Sequence, residues 1–206
     1  QKALGKRRGT AALAVAGIMF VEIIMNVINF GIAFLYTGIS SYPKGTQDAE
    51  NVISYMREQD SELFYRAEVT HSQTLNDGAL NGYNGITTFT SSAFVNVTEF
   101  MQALGYGAKD NYNRYCYEEG SPVSNLFLNL KYMIERDGKD KASTYFEEIN
   151  RYGNTVLLEN KAYLPLGFLA ESELGQMEFE VSGVFVLQNR LFSAATGIDA
   201  DVWRKV

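Results

Sequence analysis

Three glycines (78, 82 and 85) and three asparagines (76, 81 and 84) crowd the stretch LNDGALNGYNGITTFTSS at 75–92, where Asp77, Tyr83, Asn84 and Thr88 also lie. Glycine and asparagine are the residues that most readily take positive φ, so the spacing predicts a long, tightly folded loop. Ordered loops of that length commonly bind ligands. Asp77, Asn84 and Thr88 would offer hydrogen-bonding groups to a polyhydroxyl ligand, and the Tyr83 ring a stacking surface. The same glycines would serve a loop that only covers a sheet, in which case its polar side chains would lie on the surface and tolerate truncation. Both readings stay open at this point.

A second set of polar residues stands in an apolar run at 11–36, where only Glu22, Asn26 and Asn29 are strongly polar. At 100° per residue these three share one helical face. A charge at mid-membrane costs about 3 kcal/mol even on the lenient insertion scale. Such a face is expected to meet protein or a water-filled cavity rather than lipid, either as a contact between helices or along a substrate or headgroup path. The other helices it needs are expected outside this stretch.

Other chemistry has little support. One histidine, His71, and one cysteine, Cys116, rule out a His/Cys zinc site or a Cys–His nucleophile pair built from these residues, and no metal or cofactor is expected here. The phosphate-loop, nucleophile-elbow and dinucleotide-binding glycine patterns are all missing. Tyr106, Tyr112, Tyr115 and Tyr117 crowd a polar connector, where they could stack on sugar rings or pack between elements. Asn96-Val97-Thr98 matches the N-glycosylation acceptor pattern, although a helix-cap role for Asn96 explains it already.

The elements that must carry these residues begin with the 11–36 run, which as a helix reaches ~39 Å against the ~30 Å hydrocarbon core of a bilayer. It is too long for the h-region of a signal peptide. Lys2, Lys6, Arg7 and Arg8 precede it at 1–10 and 37–42 has no charge, so the positive-inside rule puts residue 1 in the cytoplasm and residues 37–206 outside it. A Gln start and an Arg204-Lys205-Val206 end are expected of a piece cut from a longer protein. A connector with Gly38, Pro43 and Gly45 spans 37–48, and 49–206 reads as one domain.

Within that domain, Ala49, Val52, Ile53 and Met56 predict an amphipathic helix over 48–59, and the alternation at 63–69 predicts a strand. Asn96 with Glu99 resembles a capping box for a helix through Val97, Phe100, Met101 and Leu104 that stops at Gly105. Ser121 can cap a helix with Pro122 at its first position. Strands are predicted at 131–135 up to a turn at Asp137-Gly138, at 145–151 and 155–159 across a Gly153-Asn154 hairpin, and at 163–170 as an edge because of Pro165. Val184, Leu187, Leu191 and Ala194 predict a last helix, closed by Gly197. Interleaved helices and strands make an α/β (α+β) domain preceded by one transmembrane helix.

The chain carries 18 basic and 24 acidic residues, net −6. The first 36 residues hold four of those bases and one of the acids, so residues 37–206 carry 14 against 23, net −9. An outer domain this acidic argues against nucleic acid and against adhesion to anionic lipid. A single cysteine forbids an internal disulfide, so stability must come from packing.

The order of motifs resembles the YfhO family of bacterial multi-span membrane proteins. It runs from Glu22 and Asn26 in the span through FYRAE (64–68), NDG (76–78), YNGITTFTSS (83–92), LGY (104–106), GSP (120–122) leading into LKY (130–132), LPLGF (164–168) and LQNRLF (187–192). The resemblance implies an integral-membrane glycosyltransferase of the GT-C type, which takes a sugar from a polyprenyl-phosphate carrier to a cell-wall polymer such as lipoteichoic acid. It also implies a catalytic acid in an early outer loop, which these residues do not include, so no catalytic residue is carried over. A rival from another class is a single-span protein whose outer domain binds a wall polymer or protein partner without chemistry.

Overall fold

The computed structural model describes residues 2–34, 45–107, 113–117, 120–136, 145–179 and 183–204, in two units divided between Lys44 and Gly45. The first unit is one helix, α1 (Lys2–Ala33), which begins earlier than the apolar run alone predicts. Its stretch Gly9–Ala33, 25 residues, is long and apolar enough to cross a membrane. Every described side chain along it is exposed, including Glu22, Asn26 and Asn29, and Phe30 stacks on Phe34 at 4.2 Å. The expected end of the span at Tyr36, the connector through residue 44 and the turn at Asp137-Gly138 lie outside the described residues, as does Tyr112.

The second unit is α/β. A four-stranded sheet in the order β1-β4-β6-β5 is built from β1 (Arg66–Val69), β4 (Leu130–Glu135), β5 (Phe146–Tyr152) and β6 (Thr155–Asn160). β1 runs parallel to β4, while β4, β6 and β5 are antiparallel neighbours. Gly153 takes φ 55° in the β5–β6 turn, as its place in the hairpin predicts. Two further short strands, β2 (Thr88–Phe89) and β3 (Arg114–Tyr115), pair with each other.

Both faces of the sheet are covered. On one face α2 (Thr46–Gln59) sets Val52, Ile53 and Met56 against Ala67, Val69, Ile134 and Leu157. On the other, α4 (Val95–Ala103) and α6 (Val184–Thr196) bring Met101, Leu187 and Leu191 to Leu130, Met133, Val156 and Leu158. Alternation along β6 explains this split, since Val156 and Leu158 point one way and Leu157 the other. β4 departs from it at one residue. Arg66 pairs with Leu130 but Ala67 pairs with Tyr132, so Lys131 is the extra residue of a bulge.

Caps account for several boundaries. Ser121 caps α5 (Pro122–Phe127) in a reciprocal box with Ser124, and Gly105 follows α4 at φ 97°. Asn96 is no cap: α4 starts at Val95 with Phe94 before it and without a side-chain cap bond, so the Asn96–Glu99 box is not formed. The strand expected at 163–170 is also absent. Leu164 gives its N–H to Leu126 O (3.2 Å) and accepts from Asn129 Nδ2 (2.7 Å), and Pro165 has no N–H to offer a ladder.

Candidate functional site

The 75–92 stretch is more ordered than a loop. It contains a short helix, α3 (Asp77–Asn81), and ends in β2. Asp77 starts the helix from inside the protein, only 1% exposed. Its carboxylate accepts from the N–H groups of Gln73 (2.9 Å) and Thr74 (3.3 Å) and pairs with Arg136 Nη1 at 3.3 Å. Asn76 exchanges two bonds with the backbone of Phe89, at 2.9 and 3.1 Å. At Gly78 a Cβ would come within 2.9 Å of the backbone at Tyr83 and Gly85, so two passes of chain cross there only because the residue is glycine.

Glu68, at the heart of FYRAE, holds the far side of this crossing. It is 1% exposed, and its carboxylate accepts from the N–H groups of Val69 (3.0 Å), Ile86 (2.8 Å) and Thr87 (2.7 Å). Burial raises the pKa of the carboxyl and these bonds pull it back, with burial the larger effect. Tyr83 is buried too. Its hydroxyl and Nη2 of Arg136 have no hydrogen-bond partner among the described residues, and burial followed by the charges of Glu68 and Asp77 pushes the phenol up.

The four residues singled out from the sequence therefore divide. Asp77 and Tyr83 turn inward and assemble the crossing, contrary to the expectation of surface side chains, because a carboxylate that caps two turns and neutralises a buried guanidinium is cheaper inside than unpaired. Asn84 is exposed, with its Nδ2 on Tyr65 O at 3.2 Å, and Thr88 is half-buried opposite Tyr115.

From Thr87 a polar network continues through the other motifs. The Tyr117 N–H donates to Thr87 Oγ1 (2.9 Å) and its hydroxyl to Asn125 Oδ1 (3.0 Å); Tyr106 stacks on Tyr117 at 5.4 Å and donates to Ser124 Oγ (2.7 Å). Ser121 and the Trp203 indole both donate to Gln188 Oε1, at 2.7 and 2.8 Å, and Gln188 donates to Leu104 O at 3.3 Å. Tyr106 and Tyr117 are thus packing residues whose phenols are pushed up by burial, not a stacking platform.

Sequence reasoning missed the cluster around Lys131. Its ammonium meets Asp60 Oδ2 at 2.8 Å and Glu62 Oε1 at 2.7 Å, and lies over the rings of Tyr65, Tyr132 and Tyr163 at 5.7, 5.5 and 5.1 Å. Tyr132 donates to Asp60 (2.9 Å) and Tyr163 to Glu62. The one signal was a lysine inside an otherwise apolar LKYMI run, which only a bulge could turn aside. Burial opposes the Lys131 charge, but its bonds to Asp60, Glu62 and Tyr163 outweigh that and hold it above the usual lysine range. Glu62 is depressed by Lys131 and Tyr163; at Asp60, burial is outweighed by the bonds from Lys131, Glu62 N–H and Tyr132. A lysine held this firmly protonated is no nucleophile, and carboxylates held ionised are poor general acids near neutrality. The cluster anchors the start of β4 to the end of α2.

Among the described residues no group of three or more His, Cys, Asp and Glu is placed to hold a metal ion. Residues 4–205 match the family described as bacterial membrane protein YfhO. No curated protein and no solved structure matches the chain.

Proposed function

We propose a function from one premise, that this chain belongs to the YfhO family of bacterial membrane proteins: it is part of an integral-membrane glycosyltransferase of the GT-C type. In this reading the full-length protein crosses the membrane many times. It moves a sugar from a polyprenyl-phosphate carrier to a wall polymer such as lipoteichoic acid, and residues 37–206 lie on the outer side. The observation that carries it is the family match over nearly the whole chain, which includes the membrane-spanning helix. The neighbours of Glu22, Asn26 and Asn29 are then other spans of the same protein, the partners are lipid, carrier-linked sugar and polymer, and nucleic acid is not among them. The catalytic acid belongs to a part of the full-length protein outside these residues.

A second reading, an anchored outer domain that binds polymer or a protein partner without chemistry, is favoured by how the acidic residues in and before the motifs are used. Glu68, Asp77, Asp60 and Glu62 are all engaged in holding the fold. One experiment separates the two. Purified full-length protein in nanodiscs is given polyprenyl-phosphate sugar and lipoteichoic acid, beside the 206-residue chain alone. The first reading expects transfer by the full-length protein and none by the chain; no transfer by either, with polymer retained by the chain, favours the second.

A further inference from the structure

Arg66, the arginine of FYRAE, is a half-buried cation held by neutral groups. Its Nη1 donates to Leu128 O at 2.8 Å and its guanidinium lies over the Phe64 ring at 5.4 Å, while no carboxylate pairs with it among the described residues. Lys131 and Arg136, also withdrawn from water, are by contrast each matched by an acid. Residues 37–206 carry net −9, so acids are plentiful and this cation is still left without one. Burial opposes its charge and pulls its pKa below the usual arginine value. A cation stripped of water and left unpaired costs free energy, which an arriving anion would recover. Of the five N–H donors of the guanidinium, one is used among the described residues.

The fold brings a second donor to the same place. Arg66 and Glu68 are two residues apart on one face of β1. Glu68 takes the N–H groups of Ile86 and Thr87, so the chain that leads into β2 runs over that face. The Tyr117 N–H on Thr87 Oγ1 and the pairing of β2 with β3 then carry Tyr115 there as well. Tyr115 is half-buried, its hydroxyl has no hydrogen-bond partner among the described residues, and Arg66 is the described charge that acts on it. We propose that Arg66 and Tyr115 form a binding site for a phosphate group. The two oxygens of a carboxylate would be satisfied by the guanidinium fork alone, whereas a further donor from the phenol suits a tetrahedral oxyanion with more oxygens to fill. The assignment uses the second unit by itself and does not rest on the glycosyltransferase reading. A lipid and a soluble ester can both present such a group, and the experiment separates them.

The test titrates the 206-residue chain, in maltoside detergent at constant ionic strength, with inorganic phosphate and with acetate, read by calorimetry. Phosphate is expected to bind more tightly than acetate. Arg66→Met should abolish that binding and Tyr115→Phe should weaken it about tenfold, the effect of one hydrogen bond to a charged group. Arg114→Gln removes an equal charge from the opposite face of β3 and should leave binding within about twofold. Melting reports the fold of each variant. Arg66→Met is expected to melt close to wild type, because Arg66 has no counter-charge to leave behind; if it does not fold, Tyr115→Phe carries the test. No binding at about 10 mM phosphate overturns the proposal. So do acetate bound as tightly as phosphate, full affinity in Tyr115→Phe, and an equal loss in Arg114→Gln, which would mean general attraction. Farnesyl phosphate and glycerol phosphate are then compared on the wild-type chain. Tighter binding of the first supports a phosphate carried by lipid, and tighter binding of the second supports one carried by a soluble ester.

Discussion

Lys131 is the side chain on which most depends at the scale of single residues. Removing its charge leaves Asp60, 3% exposed at the side chain, without the cation that neutralises it. Lys131→Met is expected to lower stability by about 3 kcal/mol, as for other broken buried pairs, measured by urea unfolding of the detergent-solubilised chain. A loss below half a kilocalorie would mean the ion pair is incidental. The pH dependence follows from the directions of the shifts. Asp60 and Glu62 are lowered from 3.8 and 4.5, so their contribution is complete above those values and is lost as pH falls below them. Lys131 is raised from 10.5, so its contribution is complete below that value and is lost as pH rises beyond it. Stability should therefore be level in this respect from about pH 5 to pH 10, a plateau that Lys131→Met would remove.

Asp77 makes the complementary case. Asp77→Ala leaves Arg136, also buried, unpaired and frees the N–H groups of Gln73 and Thr74. A loss of about 3–5 kcal/mol is expected, enough to reduce the amount of folded protein in cells. Melting unchanged from wild type would show that the residue is free to serve a ligand after all. Nothing in the sequence around NDG separates these two outcomes. The aspartate's partner, Arg136, is 59 positions away, one residue past the end of β4, and one-dimensional spacing carries no trace of that pairing.

At the scale of elements, what could be read in advance was whatever is decided locally. The cap at Ser121, the stop at Gly105 and the hairpin at Gly153 each depend on a few neighbouring residues, and each formed as the residues suggest. The strand expected at 163–170 did not, because its backbone groups are taken by Leu126 and Asn129, a competition that only the tertiary fold sets up. The bulge at Lys131 was hidden for the same reason. In the 75–92 stretch, glycine and asparagine spacing predicted a long loop rich in positive φ, but Asp77–Asn81 is helical, Thr88–Phe89 is a strand and of those glycines and asparagines only Gly82 takes a positive φ; nor could the spacing say that Asp77 and Tyr83 would be turned inward. In α1 the polar face is a local property, and it makes its own prediction. In the full-length protein Glu22→Gln should alter activity or assembly while Ile23→Leu does little, read by yield and size-exclusion profile; equal tolerance at both positions would mean that Glu22 has no protein neighbour.

For the molecule as a whole, the motifs that carried the family resemblance prove to be mostly the joints of the second unit. Glu68, Thr87, Tyr106, Ser121, Gln188 and Trp203 lie along one network that ties β1, the 75–92 stretch, α5 and α6 together. A domain so heavily committed to holding its own shape suits a rigid part of a bacterial membrane protein. Of the proposed ligand contacts, Asn84 is exposed and Thr88 half-buried. The most direct measurement is made in cells lacking the gene and complemented with full-length forms, scoring sugar on lipoteichoic acid. The account expects glycosylation to be lost on deletion and restored by the wild-type gene, with Asn84→Ala plus Thr88→Ala restoring it only weakly at normal protein level. Glycosylation that persists without the gene would contradict the central claim.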